Sequence, residues 1–322
     1  MSSPQPIIEV EGLEKSYPTG FWRRRLRVLD DVSFTVGENE VVGFLGANGA
    51  GKTTTLKILN CLAFPDAGSV RIFGEPGGVR SASRRRIGFM PEQPYFYEYL
   101  TGFEFLELCG RLNGMGSEEI RRRSVEMLAR VRLSEAGNTG IRKYSKGMMQ
   151  RLGLAQALLH EPELVILDEP MSGLDPMGRM DVRSIITELK TAGRTVFFSS
   201  HIISDVEALC DRVILLDRGK KMAEGTVAEL IGGEVRFVEL VFSPPPPSEW
   251  LPAEGIPADQ ATRSGDALVV RARDVDEANR WVSGLGARGA RLLSMTQASP
   301  HLEEIYIAHL GRNNGSGVAD DA

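Results

Sequence analysis

The chain has 322 residues, 42% of them hydrophobic and 25% charged, with a formal net charge of −5 at pH 7. This is ordinary globular composition, which excludes a fibrous or wholly disordered chain, and the mildly negative balance gives no global pull toward nucleic acid. The length suggests roughly two domains of about 150 residues, enough to bury about three-quarters of the unfolded surface.

Residues 7–10 read as a short strand, followed by a turn at Pro18-Thr19-Gly20 and a basic-aromatic stretch, Phe21-Trp22-Arg23-Arg24-Arg25, expected as an exposed loop. Residues 28–36 alternate around Asp30-Asp31 and read as a strand paired with the apolar strand 41–45. A glycine-rich turn and an amphipathic helix over 54–62 come next, then a hairpin edge at 70–73 before Gly74 and a strand over 87–90 ending at Pro91-Glu92-Gln93-Pro94. From about Thr101 the apolar period becomes helical (Phe103, Leu106, Leu112, Ile120, Met127, Val131), predicting a mostly helical insert that reaches about His160. Residues 164–167 form a continuous apolar run, as in a central parallel strand. A helix over 182–189, a strand over 195–200, a helix over 202–209 and a last central strand over 213–216 follow. Alternating strands and helices imply a parallel sheet with helices on both faces.

Near Gly232 the composition changes, and Pro244 to Pro247 cannot occupy a central strand or a helix interior. Strands over 267–270 and 292–295, with helices over 275–285 and 302–310, predict a small α+β appendix. The expected division is a domain over 1–232 with a helical subdomain at about 95–160, an accessory domain over 233–310, and a polar, glycine-rich disordered tail over 311–322. The basic triplets at 84–86 and 121–123 are expected as solvated faces. Cys61, Cys109 and Cys210 are far apart and are expected as buried free thiols in a reducing compartment. Residues 1–6 carry no apolar core of a signal peptide, and no apolar run approaches the ~18 residues of a membrane span. The expectation is a cytosolic protein, any membrane role of which would go through a partner.

Three sites carry chemistry. Gly46-Ala47-Asn48-Gly49-Ala50-Gly51-Lys52-Thr53 has the form G-x-x-x-x-G-K-[ST], between a strand and a helix that opens at Thr54. Its backbone N–H groups would cradle a polyphosphate at the positive end of the helix dipole, Lys52 would reach the β- and γ-phosphates, and the Thr53 hydroxyl would ligate Mg²⁺. Asp168-Glu169-Pro170 ends the strand 164–167, placing Asp168 to hold Mg²⁺ and Glu169 to take a proton from an attacking water. Between them, Tyr144-Ser145-Lys146-Gly147-Met148 opens a second helix whose N-terminus can receive an anion.

With the loop Ser172-Gly173-Leu174-Asp175 and His201 after a central strand, this set resembles the nucleotide-binding subunit of ABC transporters over about residues 7–230. The spelling of residues 144–148 and the C-terminal appendix look most like bacterial exporter-type (ABC-2) ATPases. The resemblance implies a P-loop NTPase of ABC type: an α/β fold with a mostly parallel core sheet, an antiparallel β subdomain, the helical insert and the α+β appendix. It implies a head-to-tail homodimer, or a dimer with a related ATPase subunit, that buries ATP between its halves. Tyr17 would stack on adenine, and Ser145, Lys146, Gly147 and Met148 would act in trans. His201 would contact the γ-phosphate, and Asp175 would couple the two sites. A separate transmembrane permease is the expected partner, with the chain peripheral on the inner membrane face, and no nucleic acid is expected. Lys146 stands where the family's signature usually carries glycine, Met148 where it carries glutamine, and Met171 where threonine is common. Either Glu92 or Gln93 fills the place of a metal-binding glutamine. A ribosome- or DNA-directed ATPase of this family commonly has two linked halves or a long coiled coil; here there is one phosphate loop, one signature and no heptad run. A module that holds ATP without hydrolysing it is disfavoured by Glu169 and His201.

Overall fold

In the computed structural model, which describes residues 6–20, 24–76, 81–231, 237–298 and 302, the chain divides at Val227–Ala228 into two units. The stretch Phe21-Trp22-Arg23, most of the expected helix over 302–310 and the tail over 311–322 lie outside the described residues.

The first unit runs β1 (Ile8–Thr19), β2 (Arg24–Val36), β3 (Val41–Leu45), α1 (Lys52–Leu59), β4 (Ala67–Ile72), β5 (Glu75–Pro76), α2 (Ser81–Arg84) and β6 (Ile87–Met90). The helical insert follows as α3 (Gly102–Leu112), α4 (Ser117–Arg130) and α5 (Lys146–Leu158). The chain then returns through β7 (Leu164–Leu167), α6 (Pro176–Thr191), β8 (Thr195–Ser200), α7 (Ile203–Leu209), β9 (Arg212–Asp217) and β10 (Lys220–Thr226), and the short α8 (Val227–Leu230) spans the division between the units. Four strands form an antiparallel sheet in the order β2-β1-β4-β5, and six form a mostly parallel sheet in the order β10-β9-β3-β8-β7-β6. Strand connections through helices put the carboxyl ends of β3, β7 and β8 together, where ligand sites of such sheets lie.

The pairing predicted between residues 28–36 and β3 is corrected. β2 pairs with β1, Val36 opposite Ile8 and Tyr17 opposite Leu26. Its buried face (Leu29, Val32, Phe34, Val36) packs onto the parallel sheet instead of joining it. The Phe34 ring centroid lies 5.5 Å from that of Phe44 on β3 and 5.6 Å from that of Phe197 on β8. Such contacts add to the apolar burial that holds the two layers together. The connector, with Asn39 at φ 59°, carries the chain from one sheet to the other.

β1 is also longer than expected. It continues through Pro18, which sits opposite Arg25 near the ribbon's end, where a missing N–H is tolerated. β9 is not the last strand of its sheet. The Arg218-Gly219 pair, both at positive φ, turns the chain into β10, an antiparallel edge whose lysines and lack of alternation hid it. α3 starts at Thr101 because of a capping box with Glu104. No disulfide joins the cysteines, which are half-buried rather than fully buried. Among the described residues no helix is long and apolar enough to cross a membrane.

The second unit contains β11 (Phe237–Phe242), α9 (Trp250–Ala253), β12 (Ala261–Ser264), β13 (Ala267–Ala272), α10 (Val275–Ala287) and β14 (Leu292–Ala298). Its antiparallel sheet has the order β12-β13-β11-β14. Val238, Leu240 and Phe242 on β11 pack with Val270 on β13 against Trp281 and Leu285 on α10. β11 and β12 were not expected from the sequence, although β11 alternates with the period of a half-buried strand.

Candidate nucleotide site

The loop from β3 to α1 is pinned at both ends. The Gly46 N–H donates to Ser200 O at 3.3 Å, and the Ala50 carbonyl accepts from Gly219 N at 3.0 Å. Gly51 has φ 105°, and a Cβ there would fall 2.6 Å from Leu29 Cδ2 and 2.8 Å from Val28 O, so only glycine fits. No side chain caps α1, which leaves the first N–H groups of the helix available to an anion. Ala47, Asn48 and Gly49 are exposed at the mouth, while Gly46 and Ala50 are buried. Lys52 is 6% exposed; its ammonium donates to Gly46 O at 2.7 Å and Ala47 O at 3.3 Å. Those two carbonyls keep the ammonium against its own loop.

Across from this loop, β7 delivers Asp168 and Glu169, both buried. Asp168 Oδ1 accepts from Ser199 Oγ at 2.7 Å and from Thr53 Oγ1 at 3.2 Å. Burial pushes the Asp168 carboxyl above the ordinary range and the neighbouring Glu169 adds to this, while the bonds from Ser199 and Thr53 act the other way. Glu169 has φ 49°, and its N–H donates to Ser199 Oγ at 2.9 Å. Glu169 Oε1 is 3.2 Å from the Lys52 ammonium, an ion pair without a well-directed hydrogen bond, and Oε2 is 2.8 Å from His201 Nδ1. Gln150 Nε2 on α5 donates to the carbonyls of Glu169 (3.3 Å) and Pro170 (3.4 Å), tying the helical insert to the loop after β7.

These groups surround a cleft of 500 Å³ whose wall includes Val28, Asn48, Gly49, Lys52, Thr53, Thr54, Glu92, Glu169, Ser172 and His201. Gln93 is exposed and is not part of that wall. Tyr17 is also outside it, 37% exposed on β1 with the Lys15 ammonium 5.4 Å from its ring centre. The Thr53 hydroxyl and the Asp168 carboxylate are an all-oxygen donor pair, which fits Mg²⁺, a hard cation that takes its remaining ligands from water and phosphate. Among the described residues no group of three His, Cys, Asp or Glu could hold a metal.

Of the remaining sequence-predicted residues, Ser145, Gly147 and Asp175 line a second cleft, while Lys146 and Met148 are their sequence neighbours outside its wall. Ser145 caps α5, its hydroxyl accepting from Met148 N at 3.2 Å. Lys146 is exposed, and its side chain lies across Gly173, where a Cβ would come within 2.8 Å of Lys146 Cε and 2.9 Å of its Nζ. Asp175 Oδ1 accepts from Gly178 N at 2.8 Å and caps α6. Ser145, Gly147, Arg151, Gly173, Leu174 and Asp175 line a space of 340 Å³ that shares no lining residue with the first cleft. The chain thus brings together Lys52, Thr53, Asp168, Glu169 and His201, and does not bring Ser145, Lys146, Gly147 or Met148 to them. Ser199 escaped the sequence reading. Its signal was a hydroxyl near the end of a buried central strand, two residues before His201.

The family model for "ABC transporter" matches residues 29–172. The chain is 41% identical over 307 residues to an uncharacterised ABC transporter ATP-binding protein of Synechocystis sp., covering 94% of this chain and 84% of that protein. It is 36% identical over 273 residues to the Nod factor export ATP-binding protein I of Ralstonia nicotianae, covering 84% and 82%. Among solved structures it is similar to a dimeric ATP-binding cassette in a post-hydrolysis state with ADP and Pi bound. That match has a TM-score of 0.63 and 27% identity, over 68% of this chain and 98% of the other.

Proposed function

This chain belongs to the family of ABC transporter ATP-binding proteins, and from that premise we propose that it is the ATP-hydrolysing motor subunit of a membrane exporter. The observation that carries this reading is the pair of clefts with no wall in common. Ser172 lines the first, and the next three residues of the same loop, Gly173, Leu174 and Asp175, line the second. One copy holds two unlike halves of a site. A second copy turned head to tail would complete both.

In the proposed cycle the loop Gly46–Thr53 and the first turn of α1, from Thr54 on, bind the phosphates of ATP, and Lys52 leaves Glu169 for the β- and γ-phosphates. Thr53 and Asp168 would hold Mg²⁺, which neutralises phosphate charge when bound, with Glu92 the nearer side chain of the metal loop because it lines the cleft. Tyr17 would hold the adenine. Ser145, Lys146, Gly147 and Met148 of the second copy close over the γ-phosphate. The Glu169 carboxylate takes the proton of the attacking water, and His201, tied through Nδ1 to that carboxylate, keeps its other ring nitrogen for the nucleotide. Loss of the γ-phosphate removes what joins the halves, Asp175 couples the two sites, and the dimer opens. The chain would work at the cytoplasmic membrane face on a separate permease. The exporter reading draws on the relative named for export.

The test is Mg²⁺-dependent ATPase activity of the purified chain, with light scattering of Glu169→Gln with and without ATP. Turnover by the wild type and an ATP-dependent dimer of the variant are expected. Absence of both removes the reading, and co-purification with a polytopic membrane protein tests the permease.

A further inference from the structure

We infer that Ser199 is a further positioning residue for ATP hydrolysis: one hydroxyl sets the orientation of the metal-side carboxylate and of the general base together. The inference rests on the roles proposed above for Asp168 and Glu169. Ser199 is the penultimate residue of β8, which lies between β7, carrying those acids, and β3, carrying the phosphate loop. Phe198 stands opposite Leu167 in parallel register, so the next residues along the two strands are Ser199 and Asp168. Ser199 is fully buried.

A hydroxyl has one proton to give and lone pairs to accept with. Ser199 gives its proton to Asp168 Oδ1 at 2.7 Å and accepts the Glu169 N–H at 2.9 Å. The second bond matters because Glu169 sits at φ 49°, a region that non-glycine residues enter only when their surroundings hold them there. The first matters because the competing contact of the same oxygen, to Thr53 Oγ1, is longer at 3.2 Å. Thr53 can turn its hydroxyl toward a cation while Ser199 keeps Asp168 in place. The neighbouring Ser200 extends the arrangement. Its carbonyl accepts the Gly46 N–H at 3.3 Å, and its hydroxyl accepts the Ile202 N–H at 2.9 Å beside His201. The end of one strand therefore fixes the phosphate loop, the two acids and the turn that carries His201. An apolar residue at 199 would keep the volume and strand but leave the Glu169 N–H without this acceptor and Asp168 without its shortest donor.

Groups that orient metal ligands change activity or metal affinity by about 10–100-fold when removed, so Ser199→Ala is expected to lower kcat by that factor with KM for ATP unchanged. A second readout is independent of turnover. In the Glu169→Gln background, equilibrium binding of a fluorescent ATP analogue is titrated with Mg²⁺, and adding Ser199→Ala should raise the Mg²⁺ midpoint about tenfold. A folded Ser199→Ala protein with wild-type kcat and an unmoved midpoint overturns the inference. If Ser199→Ala does not fold, Ser199→Thr and Ser199→Val decide. They match in shape and differ in the hydroxyl, so a Thr variant clearly more active than the Val variant supports the role, and equal activity overturns it. The wild type is run alongside. A wild type without ATPase activity removes the reading of function itself, whereas an active wild type equalled by Ser199→Ala removes only the role of Ser199.

Discussion

Replacing Glu169 by glutamine should do more than stop turnover; it should tighten the binding of ADP, a nucleotide that needs no hydrolysis. Glu169 Oε1 is 3.2 Å from the Lys52 ammonium, and both side chains are buried. At an effective dielectric of about 20, unit charges at that separation attract by about 5 kcal/mol before desolvation is subtracted. Removing one partner of a buried pair typically costs about 3–5 kcal/mol, because the other charge is left behind. In the variant, Lys52 would retain only the carbonyls of Gly46 and Ala47. A loss near 3 kcal/mol lowers the melting midpoint of a domain this size by about 6–12 °C. The β-phosphate of ADP then restores a counter-charge that the wild type already has, so competition from Glu169 disappears. Recovery of about 1.4–2.8 kcal/mol of the loss corresponds to tenfold to hundredfold tighter ADP binding. Calorimetric titration with ADP in EDTA, with melting curves taken with and without ADP, measures both quantities without metal or turnover. Equal ADP affinity together with equal melting of the two unliganded proteins would refute the competition between Glu169 and phosphate.

The other expectations concern charge, caps and thiols. The folded-state pKa of Asp168 is raised, chiefly by burial, so its contribution to stability is present below the ordinary carboxylate value and is lost as pH rises through the higher folded value. Asp168→Asn should therefore melt above the wild type at pH 7.5 in EDTA, with the gap closing near pH 4; a gap independent of pH rejects the assignment. Asp175→Ala removes the α6 cap and should cost about 0.5–2 kcal/mol, while Asp175→Asn keeps a good capping side chain and should be near neutral in stability. If Asp175 also couples the two sites, both variants lose ATP-dependent dimerisation in the Glu169→Gln background; a dimerising Asp175→Asn protein reduces the residue to a cap. Burial pushes the Cys109 thiol up to about 12 and the Cys210 thiol up as well, so a maleimide at pH 7.5 should label neither until the protein is denatured. Fast labelling of the folded protein at Cys109 is the contrary result.

The parts of the fold that the sequence made legible are those fixed by local rules. The run 164–167 and the strand 195–200 are apolar because both faces are covered, and they appear as β7 and β8 at those limits. The glycine loop and the acids could be singled out because their residue types and spacing match a phosphate- and metal-binding pattern, and the structure sets Lys52 and Thr53 beside Glu169 and Asp168. What escaped depends on partners distant in sequence. Residues 28–36 alternate equally well whether they join β3 or pack across it, and Phe34 resolves this only through Phe44 and Phe197. β10 is a half-buried edge strand with no apolar period to announce it, although Arg218-Gly219 marked the turn. Ser199 carries no motif, and its role appears only when parallel register sets it beside Asp168. The choice between Glu92 and Gln93 was open in sequence because neighbouring residues on a loop have no periodicity; the cleft wall includes only Glu92 of the two.

The electrostatics of the first cleft also explain why nucleotide would be the joint between two copies. Among the described lining residues Lys52 is the sole lysine or arginine, and its charge already faces Glu169, with Glu92 in the same wall. A polyphosphate entering this cleft therefore meets more carboxylate than ammonium. Its charge has to be matched by backbone N–H groups, a cation and something from outside the chain. The second cleft offers that complement. Ser145 opens a helix whose N-terminus faces out, and Lys146 lies exposed across Gly173 with no ion pair among the described residues. Arg132, in the same wall, is matched by Asp181 at 3.0 Å, and Arg151 is directed to backbone carbonyls, leaving Lys146 the freer charge. In the proposed dimer two such surfaces have little to hold them until a γ-phosphate lies between, and cleavage removes the group that Lys146 and Ser145 would reach. A lysine at a position where the family usually has glycine fits here because Gly173, without a Cβ, leaves room for it to lie along the loop.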